Sequence, residues 1–239
     1  MSDAPILAVA GLSAWYGAAQ ILYDLDLEVG RGEVAALMGR NGAGKSTTLK
    51  TIMGLIARRR GAVRFDGRDI SALEPYRIAR LGLGFTPEDR RIFSDLTVME
   101  NLDVGRQPPR AAGAAAWTPE RLFALFPNLA ERRDHLGSQM SGGEQQMLTV
   151  ARTLMGNPRA VLFDEPSEGV APLIVEQMAT TILELKQQGL SILLSEQNIH
   201  FAALVSDRVY VLEKGHICWR GGMAALMGDD ELQRAFLTM

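Results

Sequence analysis

The sequence feature that most constrains the fold is a glycine-rich turn between an apolar run and a helical pattern. Residues 34–39, VAALMG, are almost continuously apolar, as expected for a buried parallel strand. They lead directly into residues 39–47, GRNGAGKST, which satisfy the pattern G-x-x-x-x-G-K-[ST] of a phosphate-binding loop, and a helical stretch follows. This order of strand, loop and helix indicates an α/β fold with a nucleotide site at the end of a strand.

The loop contains the groups that a nucleoside triphosphate requires. Gly39, Gly42 and Gly44 let the backbone curl, so that several N–H groups point at phosphate oxygens. Lys45 supplies a positive charge for the β- and γ-phosphates, and the Ser46 hydroxyl suits Mg²⁺. ATP and Mg²⁺ are therefore the expected ligands. The loop residues expected to bind the nucleotide are Gly39, Arg40, Asn41, Gly42, Ala43, Gly44, Lys45, Ser46 and Thr47.

A second apolar run ends in two adjacent carboxylates. Residues 160–166, AVLFDEP, predict a buried strand that ends at Asp164 and Glu165. The carboxyl ends of parallel strands form the sheet edge where α/β proteins bind ligands. Asp164 is therefore expected to hold Mg²⁺ through water, and Glu165 to act as general base on the attacking water. Beside a phosphate loop, this pair predicts hydrolysis of the nucleotide as well as binding.

The remaining patterns complete the predicted fold class. The apolar run SILLSEQ predicts a buried strand, RVYVLEKGHICWRGG predicts a hairpin, and GAVRFDGRDI predicts a hairpin-like edge. Two N-terminal segments, ILAVAGLSAWYG and ILYDLDLEVGRGE, predict further strands. The expected class is α/β, with a mostly parallel P-loop sheet core, an antiparallel β edge and an inserted α-helical subdomain.

The inserted helices are predicted in the middle of the chain. Thr97 and Glu100 have the spacing of a capping box, and Thr118-Pro119 resembles another helix start. Residues 108–117, PPRAAGAAAW, are low in complexity and predict a loose connection.

Length and composition limit the number of domains and the class of partner. The predicted single domain, 1–239, consists of an ATP-binding core over 1–86 and 146–239 and a helical subdomain over 87–145. A net charge of −3 argues against a nucleic-acid-binding surface. The single cysteine, Cys218, excludes an intramolecular disulfide and a cysteine-based metal cluster. No run approaches the roughly 18–20 apolar residues of a transmembrane helix.

A second glycine-containing turn lies far from the phosphate loop. Residues 140–148, MSGGEQQML, place Ser141, Gly142 and Gly143 before a helical pattern. Backbone N–H groups at the start of a helix are unpaired and can bind an anion. The chain thus has two candidate anion sites.

The order of phosphate loop, SGGEQ and a strand ending in Asp-Glu resembles the ATP-binding-cassette ATPases along the whole chain. In that family, two cassettes pack head to tail, and the serine-glycine-glycine turn of each closes over the γ-phosphate bound by the other. The resemblance implies an ATPase of RecA-like fold whose partner is a second cassette, either identical or different. It also implies that the partner's ATP is contacted by Ser141, Gly142, Gly143 and Gln145.

Other family positions complete the predicted site, some with unusual residues. Tyr16 lies where the family stacks an aromatic ring on adenine. Glu88 replaces a glutamine that contacts magnesium, and its carboxylate can still bind Mg²⁺ or its waters. Gln197 replaces the switch histidine and can donate a hydrogen bond to the γ-phosphate but cannot shuttle a proton, while His200 is interpreted as a surface residue. Ala171 replaces an aspartate of the cross-dimer loop.

The resemblance therefore implies specific roles at the site. The implied catalytic residues are Lys45, Glu165 and Gln197, and the implied Mg²⁺ ligands are Ser46, Glu88 and Asp164.

The segments PEDRRIF, DEPSEGVAPLIVEQ and SEQN are similar to the second ATPase of branched-chain, or hydrophobic, amino-acid uptake transporters. The implied protein is the motor subunit of an importer, peripheral on the inner face of the cell membrane. Its implied partners are a second cassette or another copy, two transmembrane permeases and, indirectly, a periplasmic solute-binding protein. Coupling to the permeases is expected at the helical subdomain and the loop of Glu88. The alternatives are an ATPase of a urea or short-amide importer and a soluble regulator.

Overall fold

The computed structural model describes residues 4–109 and 116–236. Most of the predicted loose connection, residues 110–115, lies outside these ranges. In chain order the described strands are β1 (Leu7–Tyr16), β2 (Ala19–Val29), β3 (Val34–Met38), β4 (Arg58–Phe65), β5 (Arg68–Asp69), β6 (Leu83–Thr86), β7 (Ala160–Asp164), β8 (Ser191–Glu196), β9 (Arg208–Glu213) and β10 (His216–Gly222). The described helices are α1 (Lys45–Ile52), α2 (Pro75–Leu81), α3 (Val98–Gly105), α4 (Pro119–Leu125), α5 (Pro127–Glu131), α6 (Gly142–Leu154), α7 (Pro172–Gln187), α8 (Ile199–Val205), α9 (Met223–Met227) and α10 (Asp230–Phe236).

The larger of two sheets carries the predicted nucleotide edge. Its strand order in the described chain is β10-β9-β3-β8-β7-β6, and all neighbouring pairs are parallel except β10 with β9. Strands β3, β7 and β8 are buried along their whole length, which explains their continuous apolar runs. The predicted α/β class is confirmed, and the carboxyl ends of β3, β8 and β7 lie side by side.

The second sheet is antiparallel, with the order β2-β1-β4-β5 in the described residues. Successive residues of β3 face two different cores, because side chains alternate across a strand. Ala35 and Leu37 join a core with β1, β2, β4 and α1, whereas Val34 and Ala36 join a core that includes the inserted helices. The parallel sheet is therefore covered on both faces.

The inserted helices begin where the sequence predicts. Thr97 and Glu100 form a complete capping box at α3, and the Thr118 hydroxyl accepts from the Arg121 N–H at the start of α4. The following helical pattern is divided at Phe126, because Pro127 disfavours helical backbone in the residue before it and begins a new helix. Helix α6 runs across the predicted boundary between residues 145 and 146.

One strand was not predicted. Strand β6 has four residues, includes a glycine and forms the edge of the parallel sheet beside β7, so it lacks a long apolar run. None of the described helices has the length and apolar character needed to cross a bilayer.

Candidate active site

The phosphate loop lies between β3 and α1 and keeps the first turn of α1 open. Gly42 and Gly44 have φ values of 80° and 111°, a left-handed region that favours glycine. Gly44 is the N-cap of α1 and provides no side-chain cap. The N–H groups of this first turn therefore have no capping side chain and suit an anion.

Lys45 is held at the centre of the loop by three oxygen atoms. Its Nζ donates to the carbonyl oxygens of Gly39 at 2.8 Å and Arg40 at 3.2 Å, and it lies 3.1 Å from Oε1 of Glu165. The side chains of Lys45 and Glu165 are only 3% and 6% exposed. Since an ammonium group has three protons, a phosphate oxygen would compete with these acceptors, Glu165 among them.

Glu165 directly follows β7 in a conformation that is unusual for a residue with a side chain. Its φ is 48°, and its N–H is shared between the carbonyl oxygen of Ser195 at 3.1 Å and the Ser195 hydroxyl at 3.2 Å. Burial, followed by a hydrogen bond with Glu168, raises the pKa of Glu165, while Lys45 acts to lower it. A raised pKa makes this carboxylate a better proton acceptor.

Asp164 has one carboxylate oxygen without a partner. It is fully buried, and Oδ1 accepts from the Ser195 hydroxyl at 2.8 Å, but Oδ2 has no hydrogen-bond partner among the described residues. Burial raises the pKa of Asp164, and hydrogen bonds with Ser195 and Ser46 act against this rise. A buried, unpaired carboxylate oxygen next to a serine hydroxyl is the donor set that a hard divalent cation prefers, so these residues fit Mg²⁺.

Two further predicted site residues lie exposed at the same sheet edge. Gln197 directly follows β8. Glu88 lies in the loop that follows β6, and β6 is the strand that pairs with β7. The structure therefore brings Lys45 and Glu165 into contact, while Gln197 and Glu88 remain at the rim. His200 is exposed on α8, which confirms its interpretation as a surface residue.

The residue predicted to stack on adenine is accessible. Tyr16 ends β1 and is 50% exposed. Next to it, the Arg58 guanidinium lies over the ring of Trp15, 5.1 Å from the ring centre. The stacking role of Tyr16 stays a prediction.

The turn at the start of α6 is tightly packed within the chain. Ser141 is exposed and caps the helix: its Oγ accepts from the Glu144 N–H at 3.3 Å, and its own N–H donates to Glu144 Oε2 at 2.7 Å. A Cβ at Gly142 would lie 2.8 Å from the Arg90 side chain.

The next glycine and Gln145 are also in contact with their own chain. A Cβ at Gly143 would lie 2.7 Å from the side chain of Ile174. The Gln145 amide donates to the carbonyl oxygens of Gly137 and Met140, each at 3.2 Å. The contacts of Ser141, Gly142, Gly143 and Gln145 with a partner's ATP stay predictions.

This geometry agrees with the comparison with known families. The family model described as ABC transporter matches residues 22–168, more than half of the chain. The chain belongs to the ABC transporter family of ATP-binding cassettes. Members of this family are ATPases, and the predicted enzyme class is thereby confirmed.

Two groups of relatives match this cassette over nearly its whole length. The high-affinity branched-chain amino acid transport ATP-binding protein BraG of Pseudomonas aeruginosa is 40% identical over 97% of this chain and 99% of its own. The lipopolysaccharide export system ATP-binding protein LptB of Escherichia coli K12 is 33% identical over 97% of this chain and 96% of its own.

Solved cassettes have the same fold. The ADP conformation of MJ1267, an ATP-binding cassette of an ABC transporter, superposes with a TM-score of 0.80 at 26% identity, over 96% of this chain and 97% of that one. An ATP-binding subunit of an ABC transporter superposes with a TM-score of 0.80 at 30% identity, over 97% of this chain and 96% of that one.

Two residues of the cassette's site were not predicted from the sequence. Ser195 contacts both Asp164 and the backbone of Glu165, and Glu196 is 2% exposed at the end of β8. The available signal was the pair Ser-Glu at the end of an otherwise apolar strand. Polar side chains in that position need buried partners.

Proposed function

We propose that this cassette is the ATP-hydrolysing motor subunit of an importer for branched-chain or other hydrophobic amino acids, peripheral on the cytoplasmic face of the cell membrane. The observation that carries the proposal is the 40% identity to BraG over 97% of the chain, against 33% for LptB of Escherichia coli K12. The motifs PEDRRIF and SEQN support the same subgroup.

In the proposed reaction, the ATP phosphates lie over the loop Gly39–Thr47 and the adenine stacks on Tyr16. A water oxygen attacks the γ-phosphorus, the bond to the β,γ-bridging oxygen breaks, and Glu165 accepts the proton of the water. The support for this role of Glu165 is its contact with Lys45 at 3.1 Å and its burial-raised pKa. Gln197 would donate a hydrogen bond to the γ-phosphate from the adjacent strand end.

Mg²⁺ fits the inner part of this site. Ser46 and the unpaired oxygen of Asp164 would hold the ion or its waters, and Glu88 would approach from the rim. The ion would neutralise charge on the β- and γ-phosphates. Burial without the ion disfavours the ionised form of Asp164, which fits a side chain suited to a cation.

A second cassette, identical or different, would supply the other half of the ATP site. Ser141 is exposed at the N-terminus of the 13-residue helix α6, as a contact with a partner's γ-phosphate requires. The proposed contact brings helix-terminal donors to the phosphate only when two chains meet. Closure over ATP then becomes the step that drives the permeases.

The permeases would dock in a groove between the core and the inserted helices. Its apolar lining includes the exposed side chains of Phe93 and Val104, and its charged lining includes Arg80 and Arg152, beside exposed Tyr76. Such a surface suits a short permease helix that has an apolar face and an acidic side chain, because of charge complementarity. The groove also lies next to the loop that carries Glu88, where coupling is expected.

Solute uptake by the host organism tests the proposal. Deletion of the gene should abolish uptake of radiolabelled leucine, and the wild-type gene should restore it, whereas a Glu165→Gln gene should not. Unchanged leucine uptake together with lost urea uptake would favour the urea and short-amide alternative. Unchanged uptake of both solutes with a defective outer membrane would favour an export function like that named for LptB.

A further inference from the structure

The buried carboxylate of Glu196 joins two loops of the site. Glu196 is the last residue of β8 and is 2% exposed. Its Oε1 accepts from the Ser167 N–H at 3.0 Å, and its Oε2 accepts from the N–H groups of Gln197 and Asn198, each at 3.2 Å. Ser167 is two residues after Glu165, so a single side chain holds the loop of the expected base and the loop of the expected switch residue.

The contacts of Glu196 suit a carboxylate: burial raises its pKa, and the hydrogen bonds from Ser167 and Asn198 act against this rise. An ionised carboxylate only accepts hydrogen bonds and has two oxygens for several donors. The Ser167 hydroxyl is a further partner of the group, so its identified donors are all neutral. Burying a charge without a cationic partner is costly unless its hydrogen bonds are satisfied. A buried glutamate that served only to fill space would therefore destabilise the fold. The role of Glu196 lies instead in the hydrogen bonds that its two oxygens accept.

The Glu196 contacts extend a link that begins at Glu165, whose N–H is bonded to Ser195 of β8. Loop residues 166–171 follow Glu165, and Gln197 directly follows Glu196, the last residue of β8. Asn198 is the N-cap of α8, because its Oδ1 accepts from the N–H groups of His200 and Phe201. Glu196 thus also fixes the start of α8 relative to the loop of Ser167.

We propose that Glu196 is a positioning residue for ATP hydrolysis, whose carboxylate holds the Ser167 backbone against that of Gln197, so that both loops move as one unit. The inference rests on the roles proposed above for Glu165 and Gln197. It adds that the loops of the base and the switch residue share one support, besides the contacts of Glu165 itself with Ser195 and Lys45.

The test is the variant Glu196→Gln. The amide keeps one acceptor oxygen but turns an NH₂ group toward N–H donors, so it cannot satisfy both loops. Hydrogen exchange of the Ser167, Gln197 and Asn198 amides should then accelerate together by at least about tenfold, while the amides of residues 39–47 keep their rates. Steady-state kcat should fall at least about tenfold, with the KM for ATP changed by less than about twofold.

The matched control is Glu33→Gln. Glu33 also accepts a backbone N–H, that of Gly30 at 2.5 Å, and pairs with Arg208 at 2.7 Å, but it precedes β3 at the opposite end of the strand from the site. This variant should leave kcat and the exchange rates of Ser167 and Gln197 unchanged. A general loss of stability would instead accelerate exchange throughout the chain.

The outcomes separate this inference from the proposed function. Unchanged exchange and kcat in Glu196→Gln would overturn it, even if Glu165→Gln abolishes turnover. If exchange accelerates jointly in Glu196→Gln but Glu165→Gln keeps full activity, Glu196 links the two loops and Glu165 is not the catalytic base. If Glu196→Gln does not fold, wild-type exchange decides: Ser167 and Gln197 should open at rates within about threefold of each other, and widely different rates would overturn the inference.

Discussion

The two glycine turns of this cassette both precede a helix, but they treat the helix N-terminus differently. Helix α1 has Gly44 as N-cap, no capping side chain and no acidic residue in its first turn, which begins with Lys45. Helix α6 has a complete capping box, in which the Ser141 hydroxyl accepts from Glu144 and the Glu144 carboxylate accepts in return. The backbone N–H groups at the start of α1 are left for a ligand, whereas the capping box of α6 already uses some of the N–H groups at its start.

The difference fits the division of roles proposed above for the two turns. The α1 turn combines open N–H donors with a buried cation, so it can bind triphosphate within one chain. The α6 turn has a carboxylate in its first turn, and that carboxylate is paired with Arg132 at 2.6 Å. Fewer donors are therefore left at α6 than at α1, which fits the proposed role of α6 toward a phosphate that another chain already binds. The predictions below break or sharpen this contrast, beginning with the largest effect.

Glu165→Gln should lower turnover by roughly 10²- to 10⁴-fold, because the amide cannot accept the proton of the attacking water. ATP affinity should be retained, since the amide no longer competes as an anion for Lys45. ATP should then trap two chains as a dimer, which light scattering would detect alongside steady-state ATPase rates. Glu176→Gln, an exposed change on α7, is the control. Turnover at the wild-type rate would place the base elsewhere.

Lys45→Ala should weaken ATP binding by roughly 10- to 150-fold, since a hydrogen bond to a charged group contributes about 1.5–3 kcal/mol. Titration calorimetry measures the change. Lys214→Ala is a nearby control, because the Lys214 side chain is 88% exposed beside the same loop. Equal ATP affinities for Lys45→Ala and wild type would reject the binding assignment for α1.

Gln197→Ala should lower turnover roughly ten- to a hundredfold, because one donor to a charged oxygen is worth about 1.5–3 kcal/mol. His200→Ala should be silent, because His200 lies within α8, whereas Gln197 directly follows the end of β8. Gln197→His should add a low-pH limb to the rate profile near the unperturbed histidine pKa of about 6.5. ATPase rates of the three variants from pH 5 to 8 test this. If His200→Ala lowers turnover more than Gln197→Ala does, His200 and not Gln197 is the switch residue.

Ser141→Asp tests the α6 turn directly. Aspartate is a good N-cap, so the free energy of unfolding should change by less than about 0.5 kcal/mol. Its charge would face a phosphate in the closed pair, so turnover should fall about tenfold or more. Thr97→Asp is the matched control, because Thr97 caps α3 with the same box geometry. Equal effects of the two variants on turnover would remove the special role of Ser141.

Asp164→Asn should stabilise the chain in the absence of nucleotide and Mg²⁺ by about 1 kcal/mol, because a buried carboxylate with one unpaired oxygen is replaced by a neutral amide. The folded-state pKa of Asp164 is raised, so the wild-type carboxyl gains a proton, and stability, as pH falls through that pKa. The advantage of asparagine should therefore be largest at pH 8 and vanish in acid. Urea unfolding at several pH values measures it; an advantage that grows in acid would contradict the burial argument.

The residues expected to bind and hydrolyse ATP at the carboxyl edge of the parallel sheet could largely be predicted from local sequence. The phosphate-loop spacing and the strand ending in Asp-Glu each carry their own signature, and parallel strands bring them together, as the Lys45–Glu165 contact shows. A polar pair at the end of β8 signalled a buried role for Glu196, but its partner could not be predicted, because Ser167 is 29 residues away. Strand β6 was missed because four edge residues with a glycine have no distinctive pattern.

The strand order has a consequence for synthesis on the ribosome. Strand β3 is made early, yet both of its neighbours, β8 and β9, belong to the last quarter of the chain. Until they emerge, an apolar segment with two unpaired edges is exposed, which is a template for aggregation and a natural target for chaperones. The phosphate loop directly follows this unpaired strand. A nascent chain thus has no working ATP site until its translation is nearly complete.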